Sequence, residues 1–446
     1  MEKLSYKSDV PVVGEYDVFV AGGGSSGVAA AVNAARNGAS VCVSEQSAMF
    51  GGLGTSGLMT GLMIPKDFCG FGVEILNELR RQGGCNYRPD KSAYFLVPYQ
   101  VEFMKRIYDD IMAESGAAIY LYTKIIGVVM KGGVVEYAVL AGPEGNFAVK
   151  AKIFIDATGD AVLSGYAGVK TVTGDEQGQT QAPTMVAYYA NVDMEKRNAF
   201  FREHGGDEVK VVHMYIPQAV ADGVITIEDY HHPGAFFVSN NMAVVNAGHV
   251  YGADCSTSRG LTTATVTGRK MALEYFNFYK KYIGGFENAI FVTTGSWLGI
   301  RETRRIIGRY VVNYEDQRCY RKFGDAVCRF PGGSGSDIHA SSADGEAYKQ
   351  YYKLFTERDD YKSGDWFDFP YRSLLPVGVE NLLVTGRCAS ADRRVNGQLR
   401  NMGTCLMMGQ AAGTAAALCA KDGVYTGDVD MAKLQKVLAD AGLPNR

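Results

Sequence analysis

Long apolar runs are missing. No stretch of 18 apolar residues occurs in the 446-residue sequence, which excludes an ordinary membrane-spanning helix. The opening segment MEKLSYKSDVPVVG has no apolar signal core, so a cytoplasmic location without membrane contact is expected. A strong excess of one charge is missing too. At a net charge of −3 there is no broad basic field, and nucleic acid is not an expected partner. Histidine is scarce, with six in the chain. His231 and His232 are adjacent in the loop-like DYHHPG, and no metal site is expected there or elsewhere. The nine cysteines form no C-x-x-C and no Cys/His cluster of zinc-ligand spacing. An odd count scattered over a long chain argues against a disulfide framework and for reduced, mostly buried thiols.

What is present is material for a core. The chain is 47% hydrophobic and 21% charged, as in globular proteins with a sizeable interior. Its length suits two or three domains, or one large discontinuous one. The most informative stretch is FVAGGGSSGVAA, with Gly22, Gly24 and Gly27 at spacing G-x-G-x-x-G. The preceding YDVFVAG reads as a buried strand, and SSGVAAAVNAARNG reads as a helix stopped by Gly38. Strand, glycine turn and helix together are the context that makes this motif a dinucleotide site. Gly22 permits the tight turn, Gly24 lets the backbone approach a pyrophosphate, and Gly27 lets helix and strand come close. The helix N-terminus offers free N–H groups to the phosphates. The next strand, ASVCVSEQ, ends at Glu45, where an acidic residue reaches a ribose hydroxyl. NAD and FAD fit equally at this point.

Four further segments lean toward a longer, resident cofactor. MFGGLGTSGLMTG is a second glycine-rich stretch directly after the acid-tipped strand. AKIFIDATGD and ENLLVTGR are buried strands that stop at Gly159 and Gly386, and ligands in open α/β sheets sit at such carboxyl ends. From Thr404 to Cys419 the chain is small and apolar nearly all round, a buried helix for which Thr404 is the expected N-cap.

The set VAGGGSSG, SEQ…GG, IDATGD, LGIRETRRIIGRY, DIH, PYRSLLP, NLLVTGRCAS and LRNMGTCLMMGQAAGTAAA resembles the FAD-dependent oxidoreductase family of the glutathione-reductase-like flavoprotein superfamily. The resemblance runs from about Tyr16 to about Ala420. It implies that Gly22, Gly24, Ser25, Ser26 and Gly27 hold the pyrophosphate, and that Glu45, with Gln46 beside it, meets the adenosine ribose. Gly51, Gly52 and Thr55 would line the phosphate and ribityl path, and the Ile126 backbone with Ala157, Thr158 and Gly159 would flank the adenosine half. Gly386 and Arg387 would meet the ribityl chain, and Met402, Gly403 and Thr404 the pyrimidine edge of the flavin. Many members of the superfamily carry Asp after the glycine of the third strand, and Arg387 stands there instead. A helix N-terminus aimed at the flavin pyrimidine would stabilise its reduced, anionic form. With no histidine before residue 204, the FAD is expected to be non-covalent.

The expected fold is an α/β, Rossmann-like FAD-binding domain in two pieces, 15–168 and 375–446, with a β-meander over 127–150. A mostly β substrate domain is inserted at 169–374. TTATVTGRKMALEYFNFYKKYIGG is a helix with Thr262 or Thr263 near its start, and 429–443 is an amphipathic C-terminal helix. GGSGSD, 332–337, lacks the strand and helix that a second dinucleotide site would need. In RETRRIIGR, Arg301 is the arginine assigned to a substrate carboxylate, and the others are assigned to ion pairs with Glu302 and nearby acids. His339 is a candidate acid or base, or a structural histidine oriented by Asp337. Arg400 is a candidate to polarise a carbonyl or hold a carboxylate; Tyr371 and Arg372 are weaker candidates. Cys388 and Cys405 read as packing residues.

The implied activity is a dehydrogenase or reductase moving a hydride between a small organic substrate and flavin N5, with an unnamed second electron donor or acceptor. The alternatives are a monooxygenase or halogenase-like enzyme on the same fold, and an RNA-modifying flavoprotein, which the charge disfavours.

Overall fold

A computed structural model describes residues 4, 7–65, 68–86, 94–227, 229, 234–331, 337–343, 349 and 365–443. The adjacent His231 and His232, and all of GGSGSD except Asp337, lie outside the described residues.

Strand β1 (Val12–Ala21) enters the core at Val18 and is wholly buried from there to Ala21. The reason is its position at the centre of the main sheet, covered on both faces. Helix α1 (Ser25–Arg36) follows, with Asn37 as its C-cap and Gly38 at φ +88°, and β2 (Val41–Ser44) comes next. The sheet runs Ala118–Tyr120, β2, β1, Gly145–Asp156, Val134–Gly142, Lys124–Lys131, and Leu382–Val384 pairs with the far half of Gly145–Asp156. The five strands at the heart of this sheet are parallel. The other two extend it as an antiparallel meander turning at Gly132-Gly133 and Pro143-Glu144. Gly145–Asp156 is one long strand that belongs to both arrangements.

Register decides where the loops go. Ala21 pairs with Ser44 and with Asp156, and Val384 also pairs with Asp156. The four strands therefore end level, and Gly22, Glu45, Ala157 and Thr385 leave from one edge.

The helix Met402–Asp422 is buried from Gly403 to Ala420, which explains its lack of a polar face. It crosses α1 so closely that a Cβ on Gly409 would lie 2.2 Å from Ser26 O, and one on Gly413 2.0 Å from Ala30 O. The helix Met431–Asp440 packs Leu434 and Leu438 into the same core.

The inserted region holds the antiparallel sheet Gly234–Ser239, Met242–Asn246, Ala187–Ala190, Ile290–Thr294, and adds a layer of helices to it. These are Met194–Glu203, Glu208–Ala221 and Ser258–Tyr282. The last is capped by Thr257, whose Oγ1 accepts from Gly260 N at 3.1 Å, so the helix begins before Thr262 and Thr263. A second core forms between these layers, rich in rings such as Tyr189, Tyr275, Phe278, Tyr279 and Phe286. The core of the main sheet, however, also takes in Val312, Val327, Phe330, Phe367 and Phe369. Apolar contacts to the nucleotide side thus begin well before residue 375.

Candidate functional site

The level strand ends open into one cleft. Gly22 leaves β1 at φ +92°, and a Cβ there would meet Ala157 O at 2.8 Å. Gly27 needs its missing Cβ for packing, since one would sit 1.9 Å from Gly22 O. Gly24 differs. No protein atom lies within 4 Å of the Cβ it lacks. Gly24 is also the N-cap of α1 and offers no side-chain acceptor to the first turn. The space and the uncapped N–H groups form a cradle that fits a pyrophosphate, the group expected from the sequence.

Glu45 is buried and ties this turn down. Its Oε2 accepts from Gly23 N at 2.7 Å and its Oε1 from Ser47 N at 2.7 Å. Each oxygen keeps a further lone pair, and the residue lines the cleft. The second glycine stretch packs directly on the first: Gly51 N donates to Gly23 O at 2.8 Å, with Gly51 at φ +102° and Gly52 at φ +57°.

Of the residues singled out in the sequence, Gly22, Gly24, Ser25, Ser26, Glu45, Gln46, Gly51, Gly52, Ala157, Thr158, Gly159, Arg387, Met402 and Arg400 line the cleft. Six others stand one layer behind it. Gly27 packs α1 on its strand, as above. Thr55 donates its hydroxyl to Phe50 O at 2.5 Å and braces the loop. Thr123, Lys124 and Ile125 line the wall, so contact falls one residue before Ile126. Gly386 faces α1, where a Cβ would meet Ser26 Oγ at 2.5 Å, and Gly403 faces Met63 O at the same distance. Thr404 is not the N-cap of its helix. Asn401 holds that position, and Thr404 Oγ1 sits near the carbonyls of Asn401, Leu399 and Gln398 at 2.7, 2.9 and 3.0 Å, closing the preceding turn.

Arg387 is pinned rather than free. It donates to Gly159 O at 3.0 Å, to Asp160 Oδ1 at 2.6 Å and to Ile300 O, joining two strand ends to the inserted region. Past it the cleft gains an apolar wall of Leu261, Trp297, Leu298 and Ile300. Cys405 also lines this end, and burial pushes its thiol up to about 12, so it is no thiolate at neutral pH.

Beyond this wall is a cluster of charge. Arg400 Nη2 donates to Asp337 Oδ2 at 2.8 Å, while its Nε is buried without a partner. Arg301 is 6% exposed, and its Nη1 donates to Ala182 O at 2.6 Å and Thr184 Oγ1 at 2.8 Å. Among the described residues no carboxylate pairs with it. Burial, then Arg400, lowers its guanidinium to about 9. Of the other arginines of its segment, Arg305 lies 3.7 Å from Glu302 and Arg309 3.5 Å from Glu380, the ion pairs expected, whereas Arg304 Nε donates to the backbone carbonyl of Asp160 at 3.0 Å instead of pairing with an acid. Only Arg304, Arg305 and Ile306 form a strand there. Tyr371 is buried with its hydroxyl on Thr426 O, and Arg372 pairs with Asp325, so neither joins the cluster.

His339 lies between Asp337 and a residue the sequence did not mark, His249. His249 and its partner Asp229 sit in no motif and are 20 positions apart. The only local signal is a histidine framed by small residues in NAGHVYG.

A family profile described as "FAD dependent oxidoreductase" matches residues 17–438. The chain belongs to that family. This FAD-dependent oxidoreductase is a flavin enzyme, and FAD is its cofactor. Among solved structures it is similar to the p-nitrophenol 4-monooxygenase PnpA from Pseudomonas putida, at 12% identity over 93% of this chain and 82% of that one, with a TM-score of 0.50. A geranylgeranyl bacteriochlorophyll reductase-like protein from Thermoplasma acidophilum matches at 14% identity over 96% and 84%, with a TM-score of 0.47. The myxobacterial chondrochloren halogenase CndH matches at 14% identity over 95% and 78%, with a TM-score of 0.45. No curated protein matches the sequence. In the described residues no helix is long and apolar enough to cross a membrane.

Proposed function

We propose that this oxidoreductase is a dehydrogenase or reductase of a small organic carboxylate. The observation that carries the reading is Arg301, a buried guanidinium with no carboxylate ion-pair partner among the described residues, which lies behind the cleft wall within electrostatic reach of Arg400, the arginine that does line the cleft. An isolated buried charge is costly, and a planar fork of N–H donors matches a carboxylate. FAD, when bound, supplies the two-electron acceptor or donor at its flavin ring.

The chain's own residues do the rest. Gly22, Gly24, Ser25 and Ser26 bind the pyrophosphate without covalent attachment, and Glu45 orients the adenosine end. Arg387 fixes the cleft at mid-length, and the uncapped N-terminus of Met402–Asp422 points its free N–H groups at the flavin end. Trp297, Leu261 and Ile300 keep water from the reacting carbon, as a dry wall does in such sites. Arg301 and Arg400 orient the substrate. A cytoplasmic setting suits the nine free thiols.

The test is anaerobic mixing of the holoenzyme with hydroxy acids, enoates, their amides and neutral sugars, watching the flavin colour. The reading expects bleaching of the oxidised flavin by a carboxylate, or recovery of colour in the pre-reduced enzyme, and neither with the matching amide. A requirement for oxygen, with oxygen carried into the product, would favour a monooxygenase instead.

A further inference from the structure

Behind Arg400 four titratable side chains are joined end to end. Asp229 Oδ2 lies 2.7 Å from His249 Nδ1 and also accepts from His249 N at 3.0 Å. His249 Nε2 lies 2.7 Å from His339 Nδ1. His339 Nε2 lies 3.0 Å from Asp337 Oδ1. Asp229, His249 and His339 are each at most 3% exposed. The ends are anchored: Tyr251 OH donates to Asp229 Oδ1 at 2.7 Å, Arg400 to Asp337 Oδ2, and Gln181 Oε1 accepts from His339 N at 3.0 Å.

Counting protons along this string gives a definite answer. Three close contacts run between two carboxylates, and each needs one hydrogen. A neutral imidazole carries one ring N–H, so two neutral rings supply two. The third contact would then set lone pair against lone pair at 3.0 Å or less inside the protein, where an unmade hydrogen bond is costly.

We propose that His249 and His339 hold one shared extra proton, and that it is the proton exchanged with substrate at Arg400. This rests on the dehydrogenase or reductase reading above. The proton resides on the rings because Asp229 already accepts from His249 N and Tyr251 OH, which favours its carboxylate, and because Asp337 is kept ionised. Burial would raise that carboxyl, but Arg400, then His339 and Arg301, hold it well below the usual carboxylate range. Tyr251, Tyr275 and His213 also face the string toward Asp229, and Arg301 faces both of its carboxylates. Two carboxylates, two guanidiniums and the extra proton leave one positive charge, which an anionic substrate neutralises.

The step balances simply. For substrate reduction FAD, when bound, would supply the hydride, and the balancing proton for the adjoining substrate atom leaves His339 Nε2 by way of Asp337. The string falls from three protons to two and refills from solvent. In substrate oxidation it first gives one proton to solvent, takes the substrate proton in its place and again holds three. His249 and Asp229 are positioning residues, since they act through His339.

The test is ¹⁵N–¹H NMR of histidine-labelled holoenzyme at about pH 8, well above the ordinary imidazole value of about 6.5. The result expected is three ring N–H protons on the pair, one ring being cationic. Two neutral rings would overturn the proposal. Asp229→Asn keeps the shape, and the third proton should then leave at lower pH; no change would also count against it. In anaerobic half-reactions His339→Gln should slow flavin reduction about 10²–10⁴-fold and flatten its pH profile, with compound binding kept within a few-fold. A binding loss with an unchanged pH profile would indicate a merely structural histidine and overturn it. If no compound changes the flavin, the functional reading fails while the proton count still decides the string. Two protons in an enzyme that its substrate does reduce overturn the string alone.

Discussion

Single glycines in this protein do separate jobs, and substitution should tell them apart. Gly27→Ala forces a Cβ onto Gly22 O and should prevent folding or lower stability by several kcal/mol, read by thermal melting. Gly24→Ala meets no protein atom, and the residue has φ −65°, which any amino acid adopts. Its stability should stay within about 0.5 kcal/mol, while FAD affinity drops about tenfold or more because the Cβ occupies the phosphate space. A variant that melts lower yet keeps its FAD would contradict the cradle.

Arg301 makes the opposite kind of statement. Its folded-state value, about 9, lies below that of the unfolded chain, so at neutral pH its charge costs stability. Arg301→Met should therefore be at least as stable as the parent at pH 7. Carboxylate affinity should fall by about 2–5 kcal/mol, as when a buried charge loses its partner. Melting curves, and titrations with the bleaching carboxylate, check both.

At the scale of elements, most of the cofactor half was legible in the sequence. Four of the five parallel strands announced their carboxyl ends with a glycine or an acid, Ala118–Tyr120 being the exception, and level register then brought Gly22, Glu45 and Ala157 to one edge. The turns at Gly132-Gly133 and Pro143-Glu144 set the meander in the same local way. The helix boundaries were less legible. Thr404 has the chemistry of an N-cap, but its hydroxyl is drawn to three nearby carbonyls, and the helix starts two residues earlier. The crossing of that helix over α1 depends on residues that carry no polar signal. Gly413→Ala, which would press on Ala30 O, should cost about 1–3 kcal/mol and loosen FAD, because α1 moves with it. Unchanged melting would mean that the two helices are less tightly held than these distances require.

At the scale of the whole molecule the chemistry is assembled from segments that local patterns cannot join. Asp229, His249, Arg301, His339 and Arg400 come from five separate stretches, and only three carried a recognisable signal. The long-range pairing that gathers them, such as His249 opposite Thr184 and Gln181 on His339, is a tertiary fact. The cleft also joins both cores, with Ala157 and Met402 on one side and Leu298 and Leu261 on the other. A ligand bound across them stabilises the folded chain by mass action, about 2.7 kcal/mol at a hundredfold excess over Kd. FAD removal should therefore lower the melting temperature, and added FAD should restore it in a concentration-dependent way.

In the proposed reaction a hydride passes between the substrate carbon and the bound flavin without help from oxygen. The most direct measurement is the anaerobic stopped-flow rate of flavin bleaching by the active carboxylate, compared with the same compound deuterated at the reacting carbon. Bleaching should slow on deuteration. Bleaching at an equal rate, or none until oxygen is admitted, would contradict it.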